Sequence, residues 1–233
     1  MVQRLALLLL ALLPLAACDR PSASTPAAGE SLVAAKSADP VAGVDYIEIP
    51  GGQPYAPQAG KVEIAEAFGY PCPHCAHFEP QLIEWKEKLP ANATFVAVPA
   101  AFGGPWDTFA RAYFAAEAAG LAEKTHVPMF SAIHAERRLP PNAAPERIAA
   151  FYAEFGADPD AFLKSMNGPE VEAKFKHARD FLARTEVPGA AQIGTPMMIV
   201  AGKYRVDAVS EGGYEKMLAT VDKLVARESK PAR

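Results

Sequence analysis

Two cysteines stand two residues apart in Gly69-Tyr70-Pro71-Cys72-Pro73-His74-Cys75-Ala76-His77-Phe78. That spacing admits three chemistries: a redox dithiol, part of a metal site, or a disulfide that only braces the chain. Cys72 stands where an apolar strand pattern ends and a helical pattern begins. A helix N-terminus carries unpaired N–H groups and about half a positive charge, both of which stabilise a thiolate. Pro73 suits the first helical position, where no N–H is needed. His74 adds a donor, and a cation when protonated. Cys75 falls one turn deeper on the same face and reads as the resolving thiol, with more ordinary acidity. For zinc, His74 would have to share one ion with both flanking sulfurs, and no second CxxC or HxxxH is present. Haem attachment needs histidine directly after the second cysteine, where Ala76 stands. His77, His126, His134 and His177 read as packing or surface residues. No metal and no cofactor beyond the Cys72–Cys75 pair is expected.

The elements that must position this pair are legible from periodicity. Asp45 to Pro50 alternates as a short strand, and Lys61 to Phe68 reads as a buried strand running into the CxxC. Pro73 to Leu89 is helical, with Phe78, Leu82, Trp85 and Leu89 at three- and four-residue steps and Pro80 inside. Ala93 to Pro99 is a second central strand. A helical block follows: Asp107 as cap of a helix through Ala119, a helix over His126 to Glu136, one opened by Pro145 and ended by Gly156, and one capped by Asp158. Another helix carries Val171, Phe175, Ala178 and Leu182 on one face. Strands return at Pro196 to Gly202 and Lys203 to Ala208, with a turn expected at Gly202-Lys203. A helix over Gly213 to Glu228 closes the chain.

The chain has 233 residues, half of them hydrophobic, enough for one well-cored domain with an insertion. Its net charge of −4 and the absence of any basic run exclude a nucleic-acid footprint. Three cysteines cannot form a disulfide framework. Residues 1–17 combine an early Arg4 with an apolar run too short to span a bilayer, which fits a secretory leader. Leu15-Ala16-Ala17-Cys18 resembles a bacterial lipobox, which implies lipidation of Cys18. Lipidation would also leave a single cysteine pair. Residues 18–40 are rich in Ala, Ser and Pro and hold too little apolar surface to order themselves. As a flexible tether they would span about 25 Å.

The run Glu66 to Pro80, "EAFGYPCPHCAHFEP", resembles the active-site region of the DsbA family of thiol–disulfide oxidases. The resemblance extends over roughly Val41 to Val225, through "GVDYIEIP", "FSAIHAERRL" and "IGTPMMIVAGKYRV". It implies an α/β architecture, a thioredoxin fold (41–103 and 169–228) with an inserted helical domain (104–168). It implies a cis-proline at Thr195-Pro196, where Thr195 would pair with a substrate peptide beside Cys72. The bland alternative is an ordinary trans proline at a strand start. It implies that Glu66 lies beneath the dithiol and relays protons. The plain alternative is a solvent-facing glutamate on an alternating strand. Some members pair this acid with a base on the next strand; Ala97 stands there, so the pair is expected to be lost.

The implied activity is protein disulfide oxidation. The enzyme would donate disulfides to reduced, newly exported proteins through Cys72-Pro73-His74-Cys75. It would be reoxidised by a DsbB-like, quinone-coupled membrane protein. The expected setting is a periplasmic monomer anchored through Cys18. Three alternatives stay open. One is an isomerase, although residues 19–40 cannot form a dimerisation domain. Another is a reductase of the thioredoxin superfamily. The third is a lipoprotein that binds unfolded chains and keeps a structural disulfide.

Overall fold

The structure is a computed structural model, described for residues 39–208 and 213–230. The leader, Cys18 and all of the tether up to residue 38 lie outside the described residues. Five strands form one sheet: β1 (Ile47–Glu48), β2 (Val62–Phe68), β3 (Ala93–Pro99), β4 (Met197–Val200) and β5 (Tyr204–Asp207). Their order is β1-β5-β4-β2-β3, with β2 and β3 parallel and every other pair antiparallel. A parallel pair needs a crossover, here helix α1 (Pro73–Lys86). β2 is interior, paired with β4 on one side and β3 on the other, and six of its seven residues are buried. Strand and helix patterns built on β-branched and apolar runs match the bounds of β3 and of α7 (Gly213–Glu228). β3 is not the central strand its apolar run predicts, because it pairs with β2 alone and lies at the sheet edge, with its middle residues only half-buried.

Successive side chains of a strand point to opposite faces, so β2 feeds two cores. Ile64 joins Met198, Val200 and Val206 under α1 and α7, which contribute Phe78, Leu82, Val221 and Leu224. Ala65 and Ala67 face the other way, with Met197 and Ile199, toward the larger helical core. That core is built by α2 (Pro105–Ala118), α3 (Ala122–Phe130), α4 (Pro145–Ala153), α5 (Pro159–Met166) and α6 (Pro169–Ala183). On α6, Val171, Phe175, Ala178 and Leu182 are all buried, as their spacing predicts. The Asp158 carboxylate accepts from the Ala161 N–H at 2.8 Å, so it caps α5 as expected.

Several boundaries differ from the sequence reading. Helix α1 stops at Lys86 and not Leu89, α4 stops at Ala153 before Gly156, and β1 is only Ile47–Glu48 of the span Asp45 to Pro50. Asp107 does not cap α2, because the helix opens at Pro105 after Gly104 turns the chain at φ 56°. Asp107 lies in the first turn and accepts from the Gly103 N–H. The helix expected over His126 to Glu136 begins earlier, at Ala122, and its second half is a π-helical turn, Ser131–Ala135. Pro128 inside α3 removes a backbone donor just before the register widens. The β4–β5 turn is centred on Ala201-Gly202, both at positive φ, and not on Gly202-Lys203. The Lys203 N–H closes it onto the Val200 carbonyl at 2.9 Å. A Cβ on Gly202 would also lie 2.1 Å from the Gln53 backbone.

Candidate active site

β2 delivers the chain through Gly69 and Tyr70 to Cys72, the N-cap of α1, with Pro73 at the first helical positions. Gly69 is required there: a Cβ would meet the Trp106 ring at 2.2 Å. The Cys72 sulfur accepts from the Cys75 N–H at 3.4 Å and, as a thiol, donates to the Thr195 carbonyl at 3.4 Å. Thr195-Pro196 is a cis peptide, so the bland trans alternative does not hold.

The environment of Cys72 lowers its thiol from the ordinary 9.0 to about 5. The largest cause is a hydrogen bond from the Cys75 thiol. Burial opposes it. The Thr195 side chain and the backbone N–H groups of Cys75 and His74 add to the lowering. The donor that His74 brings to the sulfur is therefore its backbone N–H. Its side chain is exposed, and its carbonyl accepts from the Tyr214 hydroxyl at 2.9 Å. Cys75 was expected to have ordinary acidity. Burial, its hydrogen bond to Cys72 and the charge on Cys72 push it far above the ordinary thiol range instead. The two thiols of one turn thus ionise very differently.

Glu66 is fully buried on β2, so the solvent-facing alternative fails. Its neighbour Glu63 is equally buried, yet both Glu63 oxygens accept backbone N–H groups, from Tyr55 and Ala56 at 2.6 Å each. The Oε2 of Glu66 has no partner. A buried carboxylate without donors favours its neutral form. Burial and the charge on Glu79 raise Glu66 to about 8, Lys86 opposes, and Cys72 adds to the rise. The strand register sets Glu66 opposite Ala97, so the cross-strand base is absent at that position. A cation is nonetheless at hand. Lys86 on α1 reaches Glu79 at 3.8 Å, and its charge acts on Glu66.

Several residues of this site carried no sequence signal. His126 on α3 lies 3.0 Å from the Tyr70 hydroxyl and 3.4 Å from Glu79. His134 donates from Nε2 to the Tyr70 carbonyl at 2.7 Å. Two helical-block histidines thus hold the residue two before Cys72. Arg205 is fully buried and donates to the Asp207 carboxylate and to the carbonyls of Thr185, Ala191 and Gln192. It fixes the segment that leads to Thr195. Among the described residues no cluster of three or more His, Cys, Asp or Glu is placed to hold a metal, and no helix is long and apolar enough to cross a membrane.

Comparison with known proteins points the same way. No family model matches the chain. The thiol:disulfide interchange protein DsbA of Pseudomonas aeruginosa is 37% identical over 201 residues, covering 86% of this chain and 92% of that protein. DsbA of Azotobacter vinelandii is 40% identical over 192 residues, covering 82% and 86%. The crystal structure of the oxidoreductase DsbA from Xylella fastidiosa superposes with a TM-score of 0.75 at 46% identity, covering 81% of this chain and 97% of that one.

Proposed function

The chain belongs to the DsbA family of thiol:disulfide interchange proteins and is a thiol–disulfide oxidoreductase, and we propose that it works as an oxidase of newly exported proteins through Cys72 and Cys75. A client thiolate attacks the Cys72 sulfur of the Cys72–Cys75 disulfide. The S–S bond breaks, and Cys75 leaves with the electron pair. Its raised pKa means that it takes up a proton at once. Glu66, neutral near pH 7 and near enough to the pair for charge on either to act on the other, is the donor assigned to that step. A second client thiolate then attacks the client sulfur of the mixed disulfide. Cys72 departs as a thiolate, the client holds the new disulfide, and two electrons rest on the enzyme pair. Thr195 and Pro196 present the backbone against which the client strand pairs.

One observation carries the direction. The Cys72 thiolate is held by fixed donors, so it is a good leaving group and the reduced enzyme is the favoured product. Return to the oxidised form is assigned to a DsbB-like, quinone-coupled membrane protein. The expected setting is a monomer in the periplasm, held by lipid on Cys18, with 104–168 inserted in the thioredoxin domain. Cys18→Ser should then release the protein from membranes with its redox activity intact; a wild-type protein recovered wholly soluble would exclude the anchor. The test of the chemistry has two arms. Cys75→Ala should accumulate mixed disulfides with clients through Cys72, while Cys72→Ala should trap none. The Cys72–Cys75 couple, equilibrated in glutathione buffer, should be more oxidising than glutathione. A more reducing couple would make the enzyme a reductase.

A further inference from the structure

A cleft of about 540 Å³ adjoins α1 at Pro73, next to Cys72. It shares no lining residue with the one that contains Thr195 and Pro196. Pro73 and His77 on α1 line it, as do Ile133 and His134 of the π-helical turn and, after that turn, Arg137 and Leu139. None of its lining residues is acidic, although the chain as a whole is at −4. Arg137 is exposed and, among the described residues, makes no hydrogen bond or ion pair. Its neighbour Arg138 is fully engaged, with Glu136 at 2.6 Å and Glu154 at 2.8 Å. Glu136, the nearest acid in sequence, is held by Arg138 and by the Ser131 hydroxyl, so it does not cancel Arg137. Arg137 also stands at φ 56°, in the left-handed region that L-residues rarely adopt.

We propose that this cleft is a second client subsite, which takes an acidic side chain carried near the client cysteine and sets its carboxylate against Arg137. The inference rests on Cys72 being the sulfur that clients meet. Arg137 supplies a permanent charge and a planar fork of donors suited to a carboxylate. His77, from α1, adds a ring nitrogen to the lining. The apolar surfaces of Pro73, Ile133 and Leu139 accept the methylenes of the same side chain. The contact is at the surface, so its effect on rate is modest and salt-sensitive.

The experiment measures thiol exchange at Cys72 of the intact protein with single-cysteine peptides. Asp is moved from three residues before the cysteine to three after it, with Asn at the same place as control. At one or two positions Asp should exchange about threefold faster than Asn at low ionic strength. The ratio should fall to one in 0.5 M salt, on the order of a 4 Å Debye length. It should also fall to one in Arg137→Gln, and Arg137→Glu should prefer Lys at the same position. The Asp/Asn ratio is taken within each variant, so an altered fold or thiol pKa cancels. It also holds whichever way the enzyme runs, so a failed oxidase assignment would show in the redox potential and leave the ratio intact. A wild-type ratio of one at every position, or a preference that survives in Arg137→Gln, overturns the proposal.

Discussion

Ionisation of Cys72 makes the two redox forms respond differently to pH. The reduced fold holds the thiol at about 5 against an ordinary 9.0. Its folded pKa is depressed, so the stabilisation is complete above the unfolded value and disappears as pH falls through the folded one. At pH 7 it amounts to about 2.7 kcal/mol, taking 1.36 kcal/mol for each pH unit above 5. The sulfur is partly open to solvent, and screening reduces this to about 2 kcal/mol. At pH 9 the same reasoning gives about 4 kcal/mol, and at pH 5 almost nothing. The oxidised form has no thiolate but gains about 2 kcal/mol from loop closure, even in so short a ring. Cys75 does not alter the comparison below pH 9, because its folded value lies above the ordinary 9.0 and both states keep it protonated. Glu66 is present in both forms and cancels to first order. The oxidised protein should therefore be the more stable at pH 5, the two should be matched near pH 7, and the reduced protein should lead by about 2 kcal/mol at pH 9. Urea unfolding of both forms at the three pH values measures this, with thiolate absorbance to locate the midpoint near 5. A difference that stays constant with pH, or a thiol midpoint near 9, would refute the reasoning.

Glu66 is neutral in the fold up to about 8 but ionises from 4.5 when unfolded, so stability falls as pH rises between those values. Glu66→Gln should be more stable than wild type by about 3 kcal/mol at pH 7 and no different at pH 4; urea unfolding at both values checks this, and an equal gain at pH 4 would contradict it. The same variant should slow exchange by at least about tenfold in stopped flow, through loss of the proton donor. His74→Ala keeps the backbone N–H and should leave the Cys72 midpoint near 5, whereas His74→Pro deletes it and should raise the midpoint by about one unit. Equal shifts in the two variants would assign the effect to the imidazole. Arg205→Met removes a buried cation from Asp207 and three carbonyls and should cost about 3 kcal/mol in urea unfolding while raising KM for peptide clients. A variant of unchanged stability would show that Arg205 does not hold the Thr195 segment.

What was legible in the sequence follows the range of the interaction behind it. β3 and α7 could be read to the residue because alternation, apolar spacing and flanking Gly or Pro are local. Cys72, Pro73 and Cys75 could be read because a helix N-terminus is local too. Tyr70 and its two histidines could not, since His126 and His134 lie 56 and 64 residues from it. Glu63 and Glu66 are one residue type on one strand. What separates them is whether a loop from outside the strand reaches back with donors, and the Tyr55–Ala56 loop does so only for Glu63. Arg205 carries no signal in the sequence, because nothing in Tyr204 to Asp207 shows that both faces of β5 are covered. The loss of a base at Ala97 was readable from the resemblance, but its replacement was not. Lys86 lies seven residues beyond Glu79 on the same helix, and only the packing of α1 over β2 brings its charge to bear on Glu66.

The direction of the chemistry follows from a count of charge. In the reduced enzyme at pH 7 the Cys72 thiolate is ionised, while Cys75 and Glu66 are neutral. The pair therefore carries one anion, placed where the donors are. A second anion at Cys75 is disfavoured by burial and by the thiolate of Cys72. Breaking the disulfide thus stores one electron pair as a stabilised thiolate and the other as a protonated thiol. Reforming it requires removing a proton from the thiol that gives it up least readily. Apart from the Cys75 thiol, which forms only as the disulfide breaks, the donors to Cys72 are the backbone N–H groups of Cys75 and His74, fixed by α1, and the Thr195 side chain, so these need no reorganisation when the charge arrives. The thiolate stabilisation that favours the reduced form, and that grows as pH rises above 5, is built into the positions of Cys72 and Cys75 on one helical turn and into the backbone N–H of His74, whose exposed ring lies outside these contacts.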